Sequence, residues 1–555
     1  MNKLSRLKQL FIVLLLFFSI AAAAADIKKD EVDRLFSQWD RRDTPGCALA
    51  IIKDGKIVYK RGYGSANLEY AMPITPQSVF YVGSVSKQFV AMSIALLAKQ
   101  EKISLDDNIR RHVPELPDYG TPITVLNLIH HTSGLRDYLA LLGIAGLDFG
   151  SFHEEDVLEL IVRQKELNFK PGEEYLYSNS GYFLLGLIVK RASGKTLREF
   201  AQENIFKPLG MKNSHFHDDY TQLIKNRAWG YFPGGRSGYK NFLSTFDCVG
   251  SGGLYTTVED LFLWDQNFYH CRVGGKELIE LMETPGKLGN GKKLDYAFAL
   301  VVGSYKGLKT ISHGGALGGF RAHLVRFPEQ SFSVICLSNL STFNPARLSF
   351  QIADIYLAGV FREELKKEEK VKFIKLPEEK LKEKAGIYVH PESGEMMSVI
   401  FDKKEQRLVC SVSAQSFPLA AVSETEFKAL DAPLRFLIKF EREADNPFLI
   451  KLFAEDEEPK TYQFVELVKP RPEQLEEYQG EYFSKELQVT FRLALLEGKL
   501  YLIRKNAPRT LLQPAPKDIF SAPGLSLRFV RDEEDKISSF TLNAGRIRNL
   551  RFIKK

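Results

Sequence analysis

Residues 84–100 read SVSKQFVAMSIALLAKQ and determine how the rest of the chain is interpreted. Phe89, Val90 and Met92 begin a series of apolar residues at helical spacing with few polar interruptions, which predicts a helix buried on most of its sides. Ser84 and Lys87 open this helix. A separation of three residues places both side chains on one helical face, so a hydroxyl and an amine are expected to enter the core together.

This pair has a chemical rationale. The first turn of a helix favours an oxyanion, because its backbone N–H groups are free and carry the positive end of the helix dipole. One turn deeper, the Lys87 ammonium is poorly solvated, so the neutral amine is favoured and can take a proton from the Ser84 hydroxyl. Ser-x-x-Lys is a known pattern for this chemistry. Alone, the motif is weak, and the simpler interpretation is an N-cap serine followed by a solvated lysine.

A second motif, Tyr177-Ser-Asn179, lies on a polar loop before a helix predicted over 181–191. A phenol is a general base at neutral pH only when nearby cations lower its pKa, which Lys87 can do. The Asn179 amide can bond a substrate amide. The alternative for Tyr177 is an ordinary packed loop aromatic.

A third motif, His313-Gly-Gly-Ala316, precedes a strand predicted from Phe320. Paired glycines allow a ligand to lie against a strand edge. The Ala316 N–H can then be the second oxyanion donor, beside that of Ser84. The alternative is a glycine-rich turn with a surface histidine.

Five segments, in this order, resemble the serine β-lactamase and penicillin-binding-protein superfamily: Phe80–Lys87 (FYVGSVSK), His131–Leu135 (HTSGL), Tyr177–Asn179 (YSN), Gly250–Leu254 (GSGGL) and His313–Gly315 (HGG). The nearest branch looks like that of class C β-lactamases, D-aminopeptidases and related esterases. The resemblance covers residues 26–361. It implies an α+β fold, in which an antiparallel sheet is flanked by helices and accompanied by a helical subdomain.

The resemblance also implies the roles of the site residues. Ser84 would attack a carbonyl and form an acyl-enzyme, while Lys87 and Tyr177 manage the proton. His313 stands where β-lactamases and transpeptidases place the Lys of Lys-Thr-Gly, which binds the substrate carboxylate and tunes the tyrosine. An imidazole is mostly neutral at pH 7, so a peptidase or esterase is favoured over a true β-lactamase, with Arg321 a candidate partial substitute. The expected catalytic residues are Ser84, Lys87, Tyr177 and His313, and the expected substrate-binding residues are Asn179, Gly314, Gly315 and Ala316.

Strand signals occur at both ends of this region. Residues 47–52 and 57–61 flank a turn, and 320–327 and 331–338 flank another. An antiparallel sheet that joins the two ends of the domain is therefore expected. Further helices are predicted over 124–128, 155–163, 181–191, 197–204, 258–269 and 348–361.

The remainder of the chain differs from this region in its composition and in the pattern of its apolar residues. Residues 362–376 form a charged linker, and short alternating runs beyond it predict all-β structure. Residues 379–388 align with 473–482, which predicts two antiparallel modules over 377–468 and 469–555. They resemble the lipocalin-like barrels appended to D-aminopeptidase. One larger sheet is the alternative. Tandem modules on a short linker have little freedom, so their loops are expected to border the active site.

The N-terminus carries an export signal. Lys3, Arg6 and Lys8 precede an apolar run that ends in small residues at Ala25, which is typical of a secretory signal peptide over 1–25. An uncleaved anchor is the alternative, but the run is shorter than the about 20 residues that a spanning helix needs. We expect a periplasmic or secreted protein with no membrane span after cleavage.

Composition limits the remaining possibilities. The chain has 555 residues, of which 44% are hydrophobic and 26% charged, as in a folded multidomain protein. A net charge of +7 is too weak at this length to indicate a nucleic-acid partner. Five scattered cysteines imply neither zinc nor a disulfide framework, although pairing of Cys248 with Cys271 stays open.

These features predict an exported serine hydrolase that acts on a peptide, ester or β-lactam carbonyl. The expected substrate is a small molecule or a peptide, with cell-wall fragments among the candidates, and neither a cofactor nor a metal is expected. The alternative is a non-catalytic protein, either a penicillin-binding sensor or a scaffold that binds cell-wall ligands.

Overall fold

The structure, a computed structural model, describes residues 27–147, 152–242, 245–361, 373–391, 396–412, 415–430, 436–442, 448–454, 459–466, 470–515, 517–522 and 524–555. The predicted signal peptide over 1–25 lies outside the described residues, as does most of the predicted linker, over 362–372.

A six-stranded antiparallel sheet forms the centre of the N-terminal region. The strand Cys47–Lys53 pairs with Phe332–Ser338 on one side and Lys56–Tyr63 on the other. This pairing confirms that the sheet joins the two ends of the domain. The strands follow the order Val301–Tyr305, Leu308–Leu317, Phe320–Phe327, Phe332–Ser338, Cys47–Lys53 and Lys56–Tyr63.

Both faces of the sheet are covered. Side chains alternate along each strand, so neighbouring residues of one strand pack into different cores. Cys47, Leu49 and Ile51 belong to a core with the helix Pro345–Leu357. The residues between them belong to a larger core that includes Trp264 of the helix Val258–His270. A helix–sheet–helix sandwich results, with the α+β architecture that the resemblance implies.

The helices largely follow the predicted periodicity. Residues 27–36 are helical, and the others are Lys87–Lys99, Val125–Ile129, Tyr138–Ala145, Glu154–Val162, Asn179–Ser193, Leu197–Ala201, Lys207–Leu209, Val258–His270, Gly275–Met282, Pro345–Leu357, Glu378–Lys382 and Pro472–Glu476, with a π-helical turn over Gln202–Phe206 and 3₁₀ turns over Ser37–Trp39, Gly83–Ser86, Ile109–Arg111, Gly235–Ser237 and Pro328–Gln330. Short strands lie at Ser65–Asn67, Met72–Pro73, Phe80–Tyr81, His215–Phe216, Gly230–Pro233, Tyr239–Phe242 and Leu254–Thr256.

The last helix of the domain begins three residues earlier and ends four residues earlier than predicted. It covers Pro345–Leu357, because Asn344 caps it by accepting a hydrogen bond from the Arg347 N–H and proline suits the first helical position. The helices Tyr138–Ala145 and Gly275–Met282 were not predicted. Predicted helix 197–204 is interrupted by the π-helical turn.

Two separate β units follow, so the alternative of one larger sheet is wrong. The first is a closed eight-stranded barrel of Gly386–Val389, Met396–Asp402, Arg407–Val412, Gln415–Ala421, Glu426–Ala429, Phe436–Glu441, Leu449–Ala454 and Lys460–Val465. The second is a nine-stranded antiparallel sheet in the order Thr510–Leu511, Lys499–Ile503, Val489–Leu496, Gly480–Ser484, Ile547–Lys554, Ile537–Ala544, Leu525–Arg531, Ile519–Ala522 and Gln513–Pro514. We call them the first and second barrels.

The internal repeat is visible in three dimensions. In each barrel a short helix precedes the first strand, and a buried tyrosine of that strand donates a hydrogen bond back toward the helix. Tyr388 donates to the Lys384 carbonyl, and Tyr482 donates to the Tyr478 carbonyl, both at 2.9 Å. The repeat is confirmed, and the residue bounds given to the two modules stay a prediction.

The two barrels are attached differently. The first has a core of its own, whereas core residues of the second barrel join those of the N-terminal domain in one cluster. Arg136, whose side chain is fully buried, lies at this junction and donates to Glu486 Oε1 at 2.7 Å. It also donates to the carbonyls of Arg548 and Asn549. The second barrel is therefore fixed to the domain by a buried ion pair.

Replacing Arg136 by Met is expected to cost about 3 kcal/mol or more in the free energy of unfolding, because it leaves a largely buried Glu486 carboxylate unpaired. Urea denaturation, followed by fluorescence, measures the change. Arg551, exposed on the second barrel, provides the control substitution to Met. The double variant Arg136→Met/Glu486→Met should recover part of the loss; a double variant no more stable than the single one contradicts the explanation.

The cysteine question is answered by the structure. Cys248 and Cys271 are both free thiols, and Cys248 Sγ donates to the Phe152 carbonyl at 3.3 Å.

In the described parts of the chain, no helix has the length and apolarity needed to cross a membrane. Nor do those parts contain a group of three or more His, Cys, Asp or Glu side chains that could hold a metal ion.

Candidate active site

Ser84 and Lys87 are adjacent, as their spacing predicts. Ser84 lies in the 3₁₀ turn Gly83–Ser86, which continues directly into the helix Lys87–Lys99. The Ser84 Oγ is partly exposed, and it lies 2.9 Å from the Nζ of a fully buried Lys87. An accessible hydroxyl in contact with a buried amine is the arrangement needed for nucleophilic attack assisted by a base.

The surroundings of Lys87 favour its neutral form. Nζ also donates to Asn179 Oδ1 at 2.9 Å and to the Ser251 carbonyl at 2.5 Å. Burial holds the pKa of Lys87 well below that of an ordinary lysine; the Asp137 carboxylate opposes this shift and Arg546 adds to it. In its neutral form this amine can accept the Ser84 proton.

Asn179 is held in place by a carboxylate that the sequence did not reveal. It begins the helix Asn179–Ser193, and the buried Asp137 Oδ2 accepts from both its backbone N–H at 2.7 Å and its Nδ2 at 2.8 Å. This fixes the amide with its oxygen toward Lys87. Binding of a substrate amide by Asn179 stays a prediction.

Tyr177 lies against the same amine. Its ring centre is 4.9 Å from Lys87 Nζ, and its hydroxyl is buried without a hydrogen-bond partner among the described residues. Burial raises the pKa of Tyr177, although Ser84 and Arg546 act in the opposite direction. Burial outweighs these opposing contributions and the net shift is upward, so the expected lowering of the Tyr177 pKa by Lys87 does not occur. The hydroxyl is suited to donate a proton.

The glycine-rich motif lies within a strand. Gly314, Gly315 and Ala316 belong to Leu308–Leu317, whose backbone packs on the turn that carries Ser84. A Cβ on Gly315 would lie 1.9 Å from the Val82 carbonyl oxygen, and one on Gly83 would lie 2.5 Å from the Ala316 nitrogen. Glycine is thus required for the two backbones to meet, which brings the Ala316 N–H close to the Ser84 turn.

Gly315→Ala is expected to lower kcat/KM by at least about tenfold and to destabilise the domain by about 1–3 kcal/mol, since the added methyl group forces the strand away from the Ser84 turn. Gly303→Ala, on the neighbouring strand Val301–Tyr305, is the matched control, because its Cβ would have its nearest neighbour, Thr310 Oγ1, at an ordinary 3.5 Å. Steady-state kinetics and thermal melting measure both effects. Equal behaviour of the two variants would contradict the packing argument.

His313 is buried in this strand, so the alternative of a surface histidine in a turn is wrong. Its Nδ1 donates to the Gly314 carbonyl at 2.6 Å, which leaves Nε2 to accept from the Tyr296 hydroxyl at 3.1 Å. Burial lowers the pKa of His313 to about 3, with a further contribution from Lys87. Its ring centre is 6.4 Å from that of Tyr177. The imidazole is neutral at physiological pH.

His131 supports the tyrosine loop. It is fully buried, its Nδ1 accepts from the Ser178 N–H at 3.1 Å, and its ring centre lies 4.1 Å from that of Tyr177. The predicted substitute cation, Arg321, donates to the carbonyls of Gly318 and Phe320. Its guanidinium is thus used in local backbone contacts.

A cation from the second barrel reaches the site instead. The Arg546 guanidinium carbon lies 4.7 Å from the centre of the Tyr177 ring, and Nη1 lies 3.5 Å from Asp137 Oδ2. The expectation that barrel loops border the site is confirmed for the second barrel. Sequence reasoning gave no role to Asp137, Ser251, Tyr296 and Arg546.

We compared the chain with protein-family models, with curated proteins and with solved structures. A family model described as Beta-lactamase matches residues 32–356. The chain is 29% identical to a D-aminopeptidase of Gluconobacter oxydans over 296 residues, which is 53% of this chain and 56% of that protein. It is 28% identical to penicillin-binding protein 4* of Bacillus subtilis over 327 residues, which is 56% of this chain and 72% of that one. The chain thus spans little more than half the length of the D-aminopeptidase.

Among solved structures, the octameric penicillin-binding protein homologue from Pyrococcus abyssi superimposes with a TM-score of 0.55 and 25% identity. The superposition covers 78% of this chain and 99% of that one. It therefore extends beyond the region that the family model matches.

Proposed function

This chain belongs to the Beta-lactamase family of serine hydrolases, and we propose that it hydrolyses peptide, amide or ester bonds through an acyl-enzyme at Ser84. One observation carries the proposal: the Ser84 Oγ lies 2.9 Å from the Nζ of a fully buried Lys87. A buried lysine that favours its neutral form supplies the base that a serine hydroxyl needs.

Acylation then follows from the positions of these groups. Lys87 takes the Ser84 proton as Oγ bonds to the substrate carbonyl carbon, and the N–H groups of Ser84 and Ala316 stabilise the oxyanion. The bond to the leaving group breaks as Tyr177 donates its proton to the leaving nitrogen or oxygen. The proton held by Lys87 returns to the Tyr177 phenolate. Water then attacks the ester at Ser84 by the same route in reverse.

The neutral His313 supports a peptidase or esterase over a true β-lactamase. A lysine at this position would bind a penicillin carboxylate through its positive charge. The buried His313 imidazole, whose pKa is lowered to about 3, is uncharged and does not provide that attraction. The similarity to D-aminopeptidases points the same way. We therefore propose small amides, esters and short peptides as the substrate class, with cell-wall peptides included.

A substrate panel tests the proposal. Nitrocefin, p-nitrophenyl esters and D-amino-acid amides are assayed with purified protein, and the acyl-enzyme is trapped and located by mass spectrometry. The expected result is an adduct on Ser84 and faster turnover of esters or amides than of nitrocefin. A fluorescent penicillin label that persists for hours without ester or amide turnover would favour the non-catalytic sensor.

We also infer that the protein is exported, from the signal-like segment over 1–25. After expression in a bacterial host, the periplasmic or secreted protein is expected to begin at Asp26, which N-terminal sequencing determines. An unprocessed chain confined to the cytoplasm would contradict this inference.

A further inference from the structure

We propose that Arg546, supplied by the second barrel, is a specificity-determining residue that binds a carboxylate on the leaving-group side of the substrate. The inference rests on the proposed hydrolase function, because it assigns a substrate feature to the same site. Its starting point is that a guanidinium from the far end of the chain lies beside Tyr177.

Arg546 occupies the tip of a tight hairpin. The strands Ile537–Ala544 and Ile547–Lys554 are joined by the two-residue turn Gly545-Arg546, since Ala544 pairs with Ile547. Gly545 has a φ of +51°, a conformation that two-residue turns require and glycine adopts readily. The shortness of this turn gives Arg546 a defined position.

The hairpin is fastened to the N-terminal domain by groups other than the Arg546 side chain. Asn168 Nδ2 donates to the Arg546 carbonyl at 3.0 Å, and Asn168 Oδ1 accepts from the Arg548 N–H at 2.8 Å. The Arg548 guanidinium makes two 2.9 Å hydrogen bonds to the Glu174 carboxylate. Replacing the Arg546 side chain therefore leaves the anchoring contacts of the hairpin in place.

The Arg546 guanidinium has capacity for another anion. Its 3.5 Å contact with Asp137 Oδ2 is longer than the about 2.7–2.9 Å of a charge-assisted hydrogen bond. Asp137 Oδ2 already accepts two shorter bonds from Asn179. The Arg546 side chain is 43% exposed, so most of its five N–H donors are available to a ligand.

The chemistry of the site selects a carboxylate as that ligand. A guanidinium binds carboxylates in a two-point geometry and stays charged at any physiological pH. It supplies the permanent positive charge that the neutral forms of Lys87 and His313 do not. Its place against Tyr177, the proposed proton donor, puts the carboxylate on the leaving group.

The test compares two peptides that differ only in a C-terminal carboxylate or carboxamide. Arg546→Gln is expected to lower the acid-to-amide ratio of kcat/KM by about tenfold or more, mainly through KM of the acid, as expected for loss of a charge-assisted contact. Arg546→Lys should retain part of the preference. Arg551→Gln removes the same charge from an exposed position on the strand that follows the turn, Ile547–Lys554, and should leave the ratio unchanged.

Binding without turnover separates this inference from the proposed function. Calorimetric titration of Ser84→Ala protein with each peptide should show tighter binding of the acid, and addition of Arg546→Gln should remove the difference. Unchanged ratios in Arg546→Gln, equal binding of acid and amide, or the same loss in Arg551→Gln would overturn the inference. Ester hydrolysis that survives in Ser84→Ala would instead overturn the proposed function.

Discussion

Ser84→Ala is expected to lower kcat by about 10⁴-fold or more on every substrate that the protein hydrolyses, because the attacking oxygen is removed. The fold should persist, since the Ser84 side chain is partly exposed and its turn is held by backbone contacts with the strand Leu308–Leu317. Steady-state kinetics measures the loss, and mass spectrometry should find no acyl adduct.

Ser93→Ala is the matched control for this experiment. Ser93 is buried on the same helix, and its hydroxyl donates only within the helix, to the Phe89 carbonyl at 2.7 Å. The Ser93→Ala protein should keep its kcat within about twofold, because the substitution removes a hydrogen bond inside the helix and leaves the contacts of Ser84 unchanged. Hydrolysis retained in Ser84→Ala would identify a different nucleophile.

Lys87→Met is expected to lower kcat/KM by about 10²–10⁴-fold, the usual contribution of a general base. Methionine fills similar space in the apolar helix but cannot accept a proton. Lys99→Met, at an exposed position on the same helix, is the control and should have little effect. Turnover close to that of the unchanged protein in Lys87→Met would exclude Lys87 as the base.

The pH profile supplies an independent measurement of the same role. Protonated Lys87 cannot accept the Ser84 proton, so kcat/KM should fall as pH decreases through its pKa, which burial places well below the ordinary 10.5. Above that pKa the rate should level off, because burial also raises the pKa of Tyr177 and keeps its proton in place. The acidic limb should be absent from the residual activity of Lys87→Met.

Local patterns in the sequence predicted a large part of the fold. The spacing of Ser84 and Lys87, the alternation in Cys47–Lys53 and the repeated segment before Tyr388 and Tyr482 each depend on residues that are close in the chain. Such periodicity reflects the geometry of a single helix or strand. The start of the last helix depended instead on the N-cap at Asn344. A cap rests on a single polar side chain, so the apolar periodicity of the helix does not reveal it.

The missing parts of the site are contacts between distant segments. The Ser251 contact uses a backbone carbonyl, which leaves no signature in the residue type. Asp137 acts on Lys87 through Asn179, and Arg546 comes from a different domain. The protonation of Tyr177 depends on burial in the folded protein, so a pattern of nearby cations predicted the wrong direction for its pKa.

The buried pair of Arg136 and Glu486 also sets the order in which the molecule can be completed. The two residues are 350 positions apart in the chain. At a synthesis rate of about 5–20 residues per second, Arg136 is made roughly 20–70 s before its partner. Until then Arg136 lacks its nearest carboxylate and keeps only the 3.8 Å contact with the exposed Glu166 of its own domain. The turn that carries Arg546 is made later still, so a chain that stops before it lacks the cation beside Tyr177. Completion of the enzyme is coupled to the arrival of its last strands.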